Sequence, residues 1–327
     1  MNRIHITNFI YRRYAPIVIA CIFICFICIS CNQNDTQNIT FTPCTPMPEQ
    51  RASAAVATYD NKAFIYGGRA KTHSEIKGDF WQYDPQKDSW TKLKQPPLKA
   101  RTGAVAIATD SLIYIGLGFN GQVYNDSSYL RDWWQYNPLT EEWKQLQDYP
   151  TNKTAAPSAF LHENYIYIAF GSYDISTNKL YRYNITHNTW SEVNAGSCAK
   201  LVETVATSIK GRSFAGTNRY WYEFNHTSCQ WERRGDYKKD GNWLSSTLLQ
   251  HNDYIYILGG REWTATASKS GIIRYNLHSD TWDFIGHLPQ EAGKENAIGF
   301  TINGIAYYGL GEEMGNTSDK LYKITFN

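Results

Sequence analysis

Ala63-Phe64-Ile65-Tyr66-Gly67-Gly68, then Phe80-Trp81-Gln82-Tyr83-Asp84-Pro85, then Trp90 make up one unit, and the chain repeats it along its length. A glycine pair or its remnant closes an apolar strand at Gly67-Gly68, Leu117-Gly118, Phe170-Gly171, Ala215-Gly216, Gly259-Gly260 and Leu310-Gly311. An aromatic strand then ends at Tyr83, Tyr136, Tyr183, Phe224, Tyr275 and, in degraded form, Ile324. Tryptophan follows seven residues after the first five, at Trp90, Trp143, Trp190, Trp231 and Trp282. A unit recurring about every 50 residues reads as one supersecondary motif, stacked because a single copy cannot bury both of its faces.

Each landmark has a physical role. Runs such as Tyr254-Ile255-Tyr256-Ile257 are apolar without alternation, as expected of a strand covered on both sides. The glycines fall where backbone passes close to a neighbour and φ can be positive. Tyr83-Asp84-Pro85 and Tyr136-Asn137-Pro138 supply turn chemistry for the next hairpin. The repeat tryptophan, able to bury about 150–250 Å², is expected between its own blade and the next.

The glycine pair, the tyrosine and the tryptophan seven residues later resemble kelch repeats, over residues 39–327. That resemblance implies an all-β, six-bladed propeller with four antiparallel strands per blade, arranged radially around a channel. The innermost strands would be the small alternating segments 53–58, 103–108, 157–161, 204–209, 245–249 and 297–302. The sixth repeat stops at Asn327, before an outer strand can form, and Ile39 to Met47 precede the first inner strand as Trp90 to Pro97 precede the second. The N-terminal segment is therefore expected to complete the last blade.

Residues 1–30 read as a targeting segment, with Arg3, Arg12 and Arg13 followed by an apolar run from Ile17 to Ile29. That run is shorter than the roughly 20 residues a membrane-spanning helix needs. Cys28-Ile29-Ser30-Cys31 resembles a bacterial lipobox, with Cys28 where that motif usually has Leu. The resemblance implies a lipoprotein signal peptide, lipidation at Cys31, a polar tether over 31–38 and export to a bacterial outer membrane or cell surface.

Without its three arginines the segment's removal takes the formal charge from +2 to −1. A near-neutral chain with no basic run lacks the footprint of a nucleic-acid binder. Of the seven cysteines, Cys21, Cys25, Cys28 and Cys31 belong to the signal and its lipobox pattern, leaving Cys44, Cys198 and Cys229. Three without a CxxC spacing point away from a disulfide framework and from a zinc site.

Function is sought on the loops before the inner strands and between second and third strands, which share one face of such a propeller. Arg51, Arg101, Lys153, Lys200, Asn242 and Lys294 precede the six inner strands. Five cations around a channel mouth would favour an anionic ligand such as a sialic or uronic acid. Glu203 and Glu295 are candidate bases nearby, and Trp243 and Trp263 are candidate stacking surfaces for a sugar or a partner's side chain. Tyr124 and Tyr129 carry the same ambiguity between contact and packing, whereas Trp133-Trp134 repeats Phe80-Trp81 and reads as core. The histidines, His187, His226 and His278 in hairpin turns and His162 with His251 in another pair of turns, read as turn residues.

Two enzyme families share the repeat. Galactose oxidase requires a copper ligand set and a cysteine crosslink that this chain does not reproduce. N-acetylneuraminate epimerase is a six-bladed, cofactor-independent exported kelch propeller, and Tyr114-Ile115-Gly116-Leu117-Gly118 is similar to its repeats. The resemblance implies a carboxylate and an arginine facing the sugar, for which Glu203 and Arg101 are the nominees. The favoured expectation is a tethered, non-catalytic recognition propeller for a glycan or protein ligand, needing no cofactor or metal. Ligand contacts are expected from Arg51, Arg101, Lys153, Trp243, Trp263, Lys294 and Glu295. The alternative is a sugar mutarotase or epimerase.

Overall fold

The computed structural model describes residues 39–70, 75–121, 126–151, 154, 156–171, 179–196, 198–199, 201–239, 241–262 and 267–326. Residues 39–327 form one compact unit built of six four-stranded antiparallel sheets. In the first blade the strands run from inner to outer as Ala55–Tyr59, Lys62–Tyr66, Phe80–Asp84 and Ser89–Lys92. Blades two to five repeat that order. Inner strands begin at Val105, Ser158, Val205, Thr247 and Ile298, within two residues of the segments expected for them.

The sixth blade departs from this pattern as the truncated last repeat predicts. Its order is Ile298–Ile302, Ile305–Gly309, Leu321–Phe326 and then Ile39–Pro43, the first strand of the described chain. Ile39 lies opposite Phe326 and Phe41 opposite Ile324. Phe41 also meets Tyr322 edge to face, with ring centroids 6.2 Å apart. The first and last strands of the described propeller are thereby held in one sheet, and the ring is closed by hydrogen bonds as well as packing.

The two glycines of the repeat have different tasks. The first position is left-handed at Gly67, Leu117, Phe170 and Leu310, with φ of 66, 59, 51 and 58°, so a side chain there is strained but tolerated. The second position, Gly68 or Gly118 at φ 93°, admits no side chain: a Cβ would come 2.7 Å from the carbonyl oxygen of Ala52 or Thr102. The first glycine therefore decays to Leu or Phe while the second persists, except in blade four: there Gly216 pairs with Val205 as Tyr66 pairs with Ala55, so Thr217-Asn218, and not Ala215-Gly216, hold the two glycine positions.

Tryptophan closes five of the six seams, in the direction opposite to the one expected, toward the preceding blade; the seam between blades five and six has Phe41 and Phe326 in its cluster and, among the described residues, no tryptophan. Trp90 of blade one donates its indole N–H to the Thr45 carbonyl (2.9 Å), at the end of blade six. Trp190 of blade three reaches Gln147 O (2.9 Å) behind blade two, and Trp282 of blade five reaches Gly235 O (2.6 Å) behind blade four. The turn ahead of the tryptophan completes this latch. Tyr83 donates its hydroxyl to Asp88 (2.6 Å), which also accepts the Thr45 N–H (2.9 Å). In blade three, Tyr183 and the Gln147 N–H share Asn188 in the same way (2.8 and 3.0 Å). Blade four has Phe224 and Cys229 at these two places, with Cys229 in the left-handed turn position (φ 56°), so both partners of the polar latch are missing together.

Core residues fall in the seams. One cluster joins Phe300 and Tyr307 of blade six to Ile65, Trp81 and Tyr83 of blade one. Trp133, expected in the core, is fully buried in the seam between blades two and three, stacked on Tyr114. Cys44, Cys198 and Cys229 are free thiols.

Candidate functional site

Just ahead of every inner strand the chain turns through one left-handed residue. These are Ser53, Gly103, Ala156, Glu203, Ser245 and Asn296, with φ of 54, 60, 47, 50, 53 and 53°. Their backbones are linked around the channel mouth. Gly103 N–H donates to Ser53 O (3.0 Å), Ala156 to Gly103 (3.0 Å), Ser245 to Glu203 (3.1 Å), Asn296 to Ser245 (2.9 Å) and Ser53 to Asn296 (2.9 Å). Among the described residues, the step from Ala156 to Glu203 has no such bond, and there the Ser158 and Thr204 hydroxyls bond each other instead. The ring encloses a concavity of about 160 Å³.

Counting back from this ring corrects the assignment of the cations. The position two residues before each left-handed turn holds Arg51, Arg101, Thr154, Leu201, Trp243 and Lys294, so three of the six are cationic rather than five. Linkers of unequal length shift the apparent alignment by one residue in blades three to five. Lys153, Lys200, Trp263, Tyr124 and the lipidation candidate Cys31 lie outside the described residues.

Arg51 and Arg101 point into their own blades, away from the mouth. Arg51 is 0% exposed and forks onto Asp79 (2.7 and 3.1 Å) while donating to Gly67 O (3.0 Å). Trp81 donates its indole N–H to the same carboxylate (2.6 Å). Blade two repeats the arrangement: Arg101 forks onto Asp132 (2.7 Å twice) and Trp134 donates to it (2.8 Å). Burial alone would push both carboxyls up. The arginine's hydrogen bonds and charge outweigh it, with help from the indole, and hold Asp79 and Asp132 below the usual carboxylate range. These guanidiniums are committed to blade structure and offer no free face to a ligand.

Trp243, expected as an exposed stacking surface, is 2% exposed and occupies the Arg51 position of blade five, against Gly271 and Tyr237. Lys294 is buried too, its ammonium on Glu313. Tyr129, likewise buried, packs on Phe119 with ring centroids 5.1 Å apart.

Beside the ring lies a network of three carboxylates and two guanidiniums, of which Glu203 lines the concavity. Glu203 accepts both bonds from Arg261 Nη2 (3.0 and 2.9 Å) and one from the Ser245 hydroxyl (2.5 Å). Arg261 also reaches Glu295 (3.4 Å), which accepts the Ser268 hydroxyl. Glu312 is forked by Arg69 and accepts Asn296 Nδ2 (2.9 Å). Glu203 and Arg101, nominated as a catalytic pair, are therefore each engaged elsewhere. Glu295 is the least compensated of the three. Burial pushes its carboxyl above the usual range, Ser268 opposes this, the charge of Glu312 adds to it, Arg261 opposes it, and Glu203 adds further.

Arg69, Arg261 and Glu312 were missed by sequence reasoning, although a signal existed. Each directly follows the second glycine, at Gly68, Gly260 and Gly311. That residue bridges back to the residue before the left-handed turn: Arg69 to Ala52, Arg261 to Leu244 and Glu312 to Glu295. The repeat itself thus brings this position to the mouth.

With the ring and its landmarks established, the comparisons with known proteins agree. The family model described as the KLHDC2/KLHL20/DRC7 Kelch-repeats domain matches residues 22–206, more than half of the chain. The chain belongs to this kelch-repeat family. Kelch-like protein terF of Aspergillus terreus is 28% identical over 162 residues, covering 46% of this chain and 35% of that protein. Kelch-like protein 25 of Xenopus tropicalis is 24% identical over 278 residues, covering 81% and 46%. Kelch repeat and BTB domain-containing protein 3 of Homo sapiens is 23% identical over 259 residues, covering 72% and 41%. This kelch propeller thus spans half or less of the length of these curated relatives, which are named as kelch proteins and not as epimerases.

Proposed function

We propose that this kelch propeller is a non-catalytic recognition module whose channel mouth takes a cationic segment of a protein partner. The observation that carries the reading is the mouth's charge. Three carboxylates, Glu203, Glu295 and Glu312, and two guanidiniums, Arg69 and Arg261, form a partly desolvated network beside the ring, with Glu203 lining its concavity. A surplus of negative charge in a site walled by low-dielectric blades favours a cation, which reverses the sign expected from sequence. Kinship with kelch-like proteins supports a protein over a glycan as the source of that cation.

The test is binding of fluorescent peptide pools matched in length and differing in charge. Arginine- and lysine-containing pools should bind, and Glu203→Gln with Glu295→Gln should weaken them about tenfold. Preference for acidic pools, or binding indifferent to both substitutions, would overturn the reading. A glycan array run in parallel reports a sugar ligand directly.

The epimerase alternative would have to rest on Glu295 beside Arg261 instead of Glu203 with Arg101. Proton NMR of α-N-acetylneuraminic acid decides it, since acceleration of anomer exchange above the buffer rate would favour an enzyme. As a further part of the proposal, the propeller is tethered through a lipid on Cys31 at a bacterial outer membrane or cell surface. Support comes from the Cys28-Ile29-Ser30-Cys31 pattern alone, and loss of fatty-acid labelling in Cys31→Ala checks it.

A further inference from the structure

The seam between blades three and four is built differently from its neighbours. Phe224 and Cys229 replace the Tyr and Asp or Asn of the polar latch, and the backbone ring has no bond between Ala156 and Glu203 among the described residues. In that seam the imidazoles of His162, at the end of strand Ser158–His162, and His226, in the turn after strand Trp221–Asn225, are stacked face to face. Their centroids are 3.4 Å apart and their planes 8° from parallel. His226 Nε2 is bonded to the Ser213 hydroxyl (2.9 Å), and its buried Nδ1 has no hydrogen-bond partner. Elsewhere that residue is Pro85, Pro138, Ile185 or Leu277, apolar in each blade.

We propose that the blade three to blade four seam is the acid-sensitive joint of the ring, opening when the stacked histidine pair takes up a proton. Two imidazolium ions cannot share this geometry. A proton on Nδ1 of His226 would also leave a charged donor in a buried place without an acceptor. Burial, reinforced by His162, holds His226 down to about 4, with the charge of Glu223 acting the other way.

The surrounding groups do little to offset this. Strand Ser158–His162 is followed by Glu163, whose carboxylate is 4.0 Å from His162 Nε2 but 79% exposed. Tyr167 lies 5.5 Å from the His226 ring, and Arg182 covers Tyr165. Glu223 is already bonded by Arg212 and Arg234. Ser208 bonds Ser213, and the Cys229 thiol faces the His226 carbonyl at 3.8 Å.

The sign follows from these positions. A histidine in the opened seam titrates near its ordinary value of about 6.5, above the closed value. The neutral pair therefore stabilises the closed seam fully above about pH 6.5, and that contribution is lost as pH falls toward 4. Between pH 7 and pH 5 the opening equilibrium should rise on the order of twentyfold.

Hydrogen exchange on the full chain at the two pH values, corrected for intrinsic rates, tests this. Amides of strand Ser158–His162 and of residues 224–231 should lose protection by roughly that factor, while the Thr45–Asp88 seam keeps its own. His226→Leu, the residue blade five carries as Leu277, should flatten the pH dependence, and His162→Phe, which keeps an aromatic ring in the stack and leaves His226 buried, should reduce it without abolishing it. Equal loss at both seams, or no loss at either, overturns the proposal, as does a dependence that survives both substitutions. Should His226→Leu not fold, NMR titration of the unaltered protein decides. An ordinary midpoint for His226, near about 6.5, would refute it.

Discussion

Blades one and five solve the same packing problem with opposite chemistry. In blade one, Arg51, Asp79 and Trp81 form a buried ion pair capped by an indole N–H. Blade five has Trp243, Gly271 and Ile273 in the corresponding places. Its indole fills the volume of the guanidinium, and Gly271 makes room for it, since a Cβ there would lie 2.6 Å from Trp243 Cη2. All three positions change together. An arginine without its aspartate would leave a buried charge unpaired, and a tryptophan over aspartate would collide with it. The site is thus one unit of three residues, and its members are exchangeable only as a set.

The largest expected effect comes from breaking the ionic version. Asp79→Ala strands a fully buried guanidinium and should cost about 3–5 kcal/mol, read as a shift of the urea midpoint at unchanged slope. Asp132→Ala should cost less. Its side chain is 22% exposed against 10% for Asp79, so water can reach the abandoned Arg101. Converting blade one to the blade five set, with Arg51→Trp, Asp79→Gly and Trp81→Ile together, should recover most of the loss. Equal midpoints for Asp79→Ala and the triple variant would show that the three residues are not a unit.

The apolar version should fail by a different route. Trp243→Ala opens a cavity in the seam and should cost about 3–5 kcal/mol, the range for truncating a buried tryptophan. Gly271→Asp in the same background would restore neither volume nor a charge partner. Adding Trp243→Arg to Gly271→Asp recreates the blade two arrangement and should raise the midpoint above that of Gly271→Asp alone. No rise would mean that Trp81 and Trp134, which have Ile273 as their counterpart, are required for the ion pair.

These contrasts explain which parts of the molecule could be read from the chain. The second glycine, the turn tyrosine and the outer tryptophan are fixed by backbone contacts, and they recur with enough regularity to count blades. The absent outer strand after Ile324 likewise forecast the closure by Ile39–Pro43. The mouth was harder to find because its defining feature is a dihedral angle and not a residue type. Ser, Gly, Ala, Glu and Asn all serve at the left-handed turn, so no letter marks the place, and Lys153 and Lys200 were aligned one residue away from the true position. Trp243 reads as a surface group for a related reason. A tryptophan where other repeats have arginine looks like an addition until Gly271, distant in sequence, is seen to replace aspartate.

Acid separates the two chemistries with the smallest perturbation. Asp79 and Asp132 have folded-state carboxyls held below the ordinary range, so their contribution is present above the unfolded value of about 4 and is lost as pH falls through the folded one. Blade five has nothing to titrate at this site. In a background carrying His226→Leu to silence the histidine seam, exchange at Lys62–Tyr66 should quicken below about pH 4 ahead of exchange at Tyr254–Leu258. That lead should vanish in the triple variant transplanted into blade one if the carboxylate is the cause. Simultaneous loss in both strands would instead place the acid transition in the ring as a whole.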